Sequence, residues 1–259
     1  MRLVFLGTGT SYGVPQIGCG CRTCTSSDPR DRRTRSAVLI ESGGRRLLID
    51  TPPELRLQLV AAGVAALDAV LFTHAHADHV HGIDDLRAIS MRQRAPLDVY
   101  GAPGTLAELQ RRFGYIFDGT PPQPGTNKPE LATHALEPDR ETQIAGMPVM
   151  AIPLPHGRDT VLGFRVGPVA YVTDAKAIPP EARAALEGLE VLVVNALLPR
   201  PHPLHLSIPE AVAAAQQIGA PRTFLTHLTH DTPHAALAAQ LPAGIAPAYD
   251  GLVIEIGGV

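Results

Sequence analysis

The chain has 259 residues, 45% hydrophobic and 18% charged, with a formal net charge of -3 when its histidines are neutral. That length and balance suit one globular domain over 1–259 with a sizeable core, and they argue against a disordered chain. The slight acidity provides no basic field for a long nucleic-acid backbone, while leaving room for a small anionic substrate held by a few local cations.

The opening Leu3-Val4-Phe5-Leu6 reads as a buried strand. It is too short for a signal peptide or a membrane span, so a cytoplasmic location without membrane contact is the expectation. Gly7 to Thr10 turns it into a loop that carries all three cysteines, Cys19, Cys21 and Cys24. An odd, clustered set suggests either a metal site that takes its fourth ligand from elsewhere or a group of buried or redox-active thiols. Strands over 37–40 and 46–49, joined at Gly43-Gly44, form a hairpin that ends at Asp50. A helix is expected over 53–62, a strand over 68–73, a helix over 84–92, a strand over 97–100 and a helix over 105–113. The proline- and glycine-rich segment 118–129 reads as an exposed loop, either a lid or a crossover. Strands over 146–152, 162–166 and 169–172 follow, then a helix over 180–186, a strand over 191–194, a helix over 207–218 and strands over 223–226 and 252–256. Strands followed by helices in each half suit two sheets packed face to face with helices outside.

The densest chemistry lies in His74-Ala75-His76-Ala77-Asp78-His79, directly after an apolar strand. Imidazole and carboxylate are ligands for zinc, iron and manganese, and this spacing supplies two of them to each of two adjacent ions. His156, Asp174, His227 and Asp50 share the same placement, at or just beyond the end of an apolar run, where a rigid sheet can aim side chains at one point.

The stretch 73–79, together with Pro155-His156-Gly157, Val172-Thr173-Asp174 and Leu225-Thr226-His227, resembles the sequence motifs of the metallo-beta-lactamase superfamily, in order and over nearly the whole chain. The resemblance implies an α/β fold, a four-layer αββα sandwich of two mixed sheets with helices on the outer faces. It implies that His74, His76 and His156 hold one divalent ion, that Asp78, His79 and His227 hold a second, and that Asp174 bridges them. Asp50 would orient the ligands from behind. Two such ions, zinc or manganese, would make the site hydrolytic, with Asp78 among its catalytic residues.

Within that superfamily the cysteine cluster resembles the structural zinc site of the phosphoribosyl cyclic phosphate phosphodiesterases, which implies a closed site of Cys19, Cys21, Cys24 and His230. The same resemblance implies that His205 protonates the leaving group, that Arg87 and His202 contact substrate, and that a hydroxide held by the ion pair attacks phosphorus. Two loops depart from that family: 200–205 is shorter and 11–16 differs in wording. The expected function is hydrolysis of small cyclic phosphodiesters, either ribose 1,2-cyclic phosphate or 2',3'-cyclic nucleotides. Three alternatives stand beside it: a nuclease of the tRNA-processing type, a thioester or lactone hydrolase, and a non-catalytic carrier of the pyrroloquinoline quinone type. Segment 118–129 has Lys128 as its one cation, which weighs against long RNA. A homodimer is the prior for a soluble enzyme.

Overall fold

Along the apolar runs, alternate side chains enter different cores, and this divides the molecule into layers. Leu3 and Phe5 join Val38, Ile40, Leu47, Ile49, Val169, Tyr171, Val191 and Val193 in a core between the two sheets. Their neighbours Val4, Leu6, Leu39, Leu48 and Val70 pack outward on one side, while Ala170, Val172, Leu192 and Val194 pack outward on the other. A strand buried on both faces has this period of two, and each outer face is then covered by helices.

The computed structural model describes residues 1–257. In chain order the first half contains β1 (Arg2–Gly7), β2 (Ala37–Ser42), β3 (Arg45–Ile49), α1 (Leu55–Ala61), β4 (Ala69–Leu71), α2 (Ala77–Val80), α3 (Arg87–Gln93), β5 (Leu97–Gly101), α4 (Pro103–Arg112), α5 (Gly114–Phe117) and β6 (Leu131–Ala135). The second half contains β7 (Glu141–Ile144), β8 (Met147–His156), β9 (Asp159–Val166), β10 (Val169–Val172), α6 (Pro180–Ala184), β11 (Val191–Asn195), α7 (Ile208–Ile218), β12 (Arg222–Thr226), α8 (His234–Ala238), β13 (Ile245–Pro247) and β14 (Val253–Glu255). They form two seven-stranded sheets, ordered β14-β1-β2-β3-β4-β5-β6 and β13-β12-β11-β10-β9-β8-β7. Both are mixed: β3 to β6 and β10 to β13 pair in parallel, the remaining neighbours antiparallel. The αββα sandwich expected from sequence is the observed fold.

This topology gathers the carboxyl ends of β3, β4, β8, β10 and β12 at one edge. The sheets are stitched there by Leu162 N donating to the Thr73 carbonyl at 2.9 Å. Asp50, Asp174 and His227, just beyond β3, β10 and β12, have φ of 66°, 57° and 56°. Side-chained residues rarely adopt this left-handed conformation, so the surrounding structure stabilises it at all three.

Several elements differ from the sequence expectation. The expected helix over 84–92 is a 3-10 turn over Ile83–Leu86 followed by α3, because Gly82 enters the turn against α1. A Cβ on Gly82 would lie 2.1 Å from the Pro52 carbonyl oxygen. The expected strand over 146–152 continues to His156, paired with β9 from Val149 onward. Segment 118–129 has no regular structure and serves as the crossover from α5 to β6. Strands β6, β7 and β13 and helices α2, α5 and α8 have no counterpart in the sequence reading. Among the described residues no helix is long and apolar enough to cross a membrane.

Candidate metal centre

The turn after β4 carries His74 and His76, and His76 is the N-cap of the short helix α2, which presents Asp78 and His79. Ligand atoms of His74, His76, His156 and Asp174 lie within 4.8 Å of one another, as do those of Asp78, His79, Asp174 and His227. Asp174 belongs to both groups. Its Oδ2 is 3.6 Å from His74 Nε2 and 3.5 Å from His79 Nε2, and its Oδ1 is 3.2 Å from His227 Nε2. Asp78 Oδ2 is 3.4 Å from His79 Nε2 and 3.8 Å from His227 Nε2. Most of these separations are long for hydrogen bonds, and they bracket the spacing of about 3.4 Å that two ligands at about 2.1 Å have around one tetrahedral ion.

The polar atoms behave as a cation site would require. Nε2 of His74, His79 and His227 is buried with no hydrogen-bond partner. Leaving such groups unpaired costs on the order of 1–3 kcal/mol each, so the three nitrogens fit the role of cation ligands. Although burial opposes it, His79 and His227 hold the Asp78 and Asp174 carboxyls well below the usual range. Burial lowers His74 well below an ordinary imidazole, while the carboxylates of Asp174, Asp50 and Asp78 overcome burial and raise His79. Carboxylates and imidazole nitrogens gathered in this way are the donor types that divalent zinc or manganese accepts.

The rings are held from behind. Asp50 Oδ2 is 2.7 Å from His79 Nδ1, and Asp50 also accepts from Thr73 N at 2.9 Å and from Thr73 Oγ1 at 2.8 Å. Thr73 Oγ1 is in turn 2.9 Å from His74 Nδ1, so one carboxylate orients a ligand in each group. His156 Nδ1 donates to the Leu204 carbonyl at 3.0 Å. Such bonds select the tautomer that leaves Nε2 free.

His205 lies over this centre. Its ring stacks on His227 at 5.0 Å and meets His156 edge-on at 4.8 Å, and its Nδ1 is buried without a partner. Burial, with His227 beside it, pushes its imidazole down to about 3. The loop is anchored on both sides: Leu206 N donates to the Ala175 carbonyl at 2.8 Å, and Lys176 Nζ reaches the His205 carbonyl at 3.5 Å. His202 is 5.1 Å from His205, ring to ring, and its Nδ1 accepts from Leu204 N at 3.2 Å. Arg87 is not brought to the ligands by any hydrogen bond: it is half exposed and pairs with Asp84 at 2.8 Å, three residues before it.

The cysteines converge separately. Sγ of Cys19, Cys21 and Cys24 lie 3.3, 3.8 and 3.2 Å from His230 Nδ1. Sulfur and nitrogen bound to one tetrahedral zinc would be about 3.6 Å apart, given bond lengths of about 2.3 and 2.0–2.1 Å. Gln16 N donates to Cys24 Sγ at 3.3 Å and Cys24 N to Cys21 Sγ at 3.5 Å. The first bond does not offset burial, which pushes Cys24 up to about 11, while the second lowers Cys21. The cluster is coupled to the other centre through the segment following His227. Leu228 N donates to the Thr8 carbonyl at 3.0 Å, and Thr10 N to the Leu228 carbonyl at 3.2 Å.

Sequence reasoning missed Thr73, the Leu204 carbonyl, Lys176 and Arg112. Arg112 donates from Nη1 to the Ala75 carbonyl at 2.6 Å. No local pattern marks these, since each acts on a residue brought near by the fold. Three histidines without an expected role pair elsewhere: His81 with Phe113, His134 with Asp98, and His234 with Arg33.

Comparison with known proteins agrees with this geometry. A family model described as the beta-lactamase superfamily domain matches residues 45–228. A diphosphatase from the PhnP family, known from its crystal structure, superposes with a TM-score of 0.91 at 38% identity, covering 98% of this chain and 97% of that one. An octanoyltransferase of Porphyromonas gingivalis is 42% identical over 255 residues, 97% of this chain and 51% of its own length, so the chain spans about half of that relative. A ribonuclease Z of Mycobacterium sp. (strain KMS) is 29% identical over 228 residues, covering 77% of this chain and 79% of that protein. With the family match over most of the sequence and the two-sheet fold that carries it, this chain belongs to the metallo-beta-lactamase superfamily.

Proposed function

We propose that the chain is a two-metal phosphodiesterase of small cyclic phosphodiesters, with ribose 1,2-cyclic phosphate and 2',3'-cyclic nucleotides as its substrate class. The observation that carries this reading is the Asp174 carboxylate, shared by two ligand groups beneath the ring of His205. His74, His76, His156 and Asp174 would hold one ion, and Asp78, His79, His227 and Asp174 the other. A pair of divalent ions supplies Lewis acidity toward a phosphoryl oxygen and an activated water.

The protein's own groups do the remaining work. Asp50 and Thr73 fix ring orientation in both groups. His205 is in place to give a proton to the departing alkoxide. Burial and then His227 lower its imidazole, and the charge of an anionic phosphate beside it would favour the imidazolium. His202, one ring away, is our candidate for a further phosphate contact. Cys19, Cys21, Cys24 and His230 would hold a structural zinc that fixes the far side of the loop bearing His227. The 38% identical diphosphatase supports phosphorus chemistry, and it favours a second reading, hydrolysis of a diphosphate. Lys128, the cation of segment 118–129, is tied to Asp118 at 2.6 Å and to the Tyr115 carbonyl at 2.7 Å, which weighs against that segment as an RNA-gripping arm.

The test is a substrate panel on the metal-loaded protein: ribose 1,2-cyclic phosphate, 2',3'-cyclic nucleotides, bis-p-nitrophenyl phosphate, a nucleoside diphosphate, a precursor tRNA and an acyl thioester. Turnover concentrated on the cyclic diesters is expected. A protein carrying its metals yet inert to every diester would overturn the reading, and one acting only on the diphosphate would replace it with the second.

A further inference from the structure

We propose that Arg112 is the positioning residue for His76, and through it for the first ion; this rests on the two-metal reading above. Within the group His74, His76, His156 and Asp174, His76 is the exposed member and the others are buried. The other two imidazoles have a partner on Nδ1, the Thr73 hydroxyl for His74 and the Leu204 carbonyl for His156. Among the described residues, no hydrogen bond holds the ring of His76. Its ring meets those of His74 and His156 edge-on at 4.5 and 5.2 Å, so its place depends on that packing and on its backbone.

That backbone is gripped from another element. Arg112 is the last residue of α4, and its Nη1 donates at 2.6 Å to the carbonyl of Ala75, between the two ligands of the His-x-His segment. Ala75 O takes part in no backbone hydrogen bond among the described residues, so the guanidinium is its partner. The other side of the guanidinium is fixed, with Nε donating to Glu108 Oε1 at 2.5 Å one helical turn earlier. Arginine can do both at once because its donors form a rigid fork, whereas lysine offers one point charge on a flexible stem. Leu106 and Leu109 are the residues that bury α4, so Arg112 can be changed without opening the core. The neighbouring group has its own support, Asp50 on His79 Nδ1, which Arg112 does not touch. The effect of losing Arg112 therefore falls on one ion of the pair.

The test compares wild type, Arg112→Ala, Arg112→Lys and His76→Ala as purified metal-loaded proteins, dialysed against graded dipicolinate, with retained metal per chain read by elemental analysis. Both arginine variants should release one active-site equivalent at roughly 10-fold lower chelator, the range seen for groups that orient metal ligands. It should be the same equivalent that His76→Ala releases, with the other retained as in wild type. Adding Arg112→Ala to His76→Ala should then shift release by less than about threefold, because the two changes act on one element. Melting of the metal-stripped proteins within about 2 °C of one another excludes a folding effect. Loss of both equivalents together, or release no earlier than in wild type, would overturn the proposal. A wild-type protein that never holds the pair would overturn the two-metal reading, and this one with it.

Discussion

Asp50 and His79 are joined by a 2.7 Å hydrogen bond between Oδ2 and Nδ1, with both side chains fully out of contact with solvent. Burial raises the Asp50 carboxyl and the surrounding carboxylates raise His79 against burial, while the contact itself fixes the ring through Nδ1. This places Nε2 of His79 on the side of Asp78 and Asp174. Asp50→Asn should therefore lower metal affinity in the group Asp78, His79, Asp174 and His227 by roughly 10- to 100-fold. Chelator competition with elemental analysis measures it, and wild-type retention would show that Asp50 does not orient the ring.

His205 touches ligand rings of both groups and is in neither. His205→Ala should reduce turnover by roughly 10²- to 10⁴-fold, the range for removal of a general acid, with metal content unchanged. Steady-state kinetics beside metal analysis separates the two, and unaltered turnover would remove His205 from the reaction.

Cys24 is the buried member of the thiol cluster. Cys24→Ser should remove one zinc per chain and leave the active-site pair. It should lower Tm by roughly 5–10 °C, since a loss of about 2–3 kcal/mol moves a chain of this size by 2–4 °C per kcal/mol. A variant with full zinc and an unchanged melt would return the cluster to the status of ordinary thiols.

Stability should also depend on His234. Its Nδ1 is 3.2 Å from Arg33 Nη2, its backbone N donates to Asp31 at 2.6 Å, and burial, with Arg33 beside it, pushes its imidazole down to about 4 from 6.5. The folded state then binds this proton less readily than the unfolded chain. The contribution is complete above about pH 6.5 and is lost as pH falls toward 4. Denaturant unfolding at pH 7.5 and pH 5 should show a steeper fall for wild type than for His234→Gln; parallel falls would exclude the linkage.

Gly82→Ala should destabilise the protein by about 1–3 kcal/mol, because its Cβ would meet the Pro52 carbonyl oxygen at 2.1 Å and backbone must move. Chemical denaturation would measure it, and an unchanged midpoint would mean that the turn has more freedom than its packing indicates.

The strands read correctly from sequence are those with apolar residues on both faces, such as β1, β4, β10 and β11. The missed strands β6, β7 and β13 are edge strands of the two sheets. An edge strand has one paired side and little burial, so β6 reads Leu-Ala-Thr-His-Ala with no alternation, and β13 ends in a proline. Helix α2 was hidden for a different reason: it is four residues long and two of them are candidate ligands, whose order follows chemistry and not a hydrophobic period.

The sequence by itself determined the chemical types at this site: imidazoles and carboxylates at strand ends, and three thiols in one loop. Those residues are close in the chain or follow recognisable apolar runs. The family resemblance already pointed to Asp174 as the shared carboxylate and to His205; only the tertiary structure decided the distances between the groups and the stacking of His205 on His227. It also decided that the carbonyl between His74 and His76 is gripped by Arg112. These relationships join residues tens to more than a hundred positions apart, through left-handed backbone at Asp50, Asp174 and His227 that local propensity disfavours. They exist because two packed sheets bring five strand ends to one edge, and that convergence is a property of the assembled layers, which no stretch of sequence encodes alone.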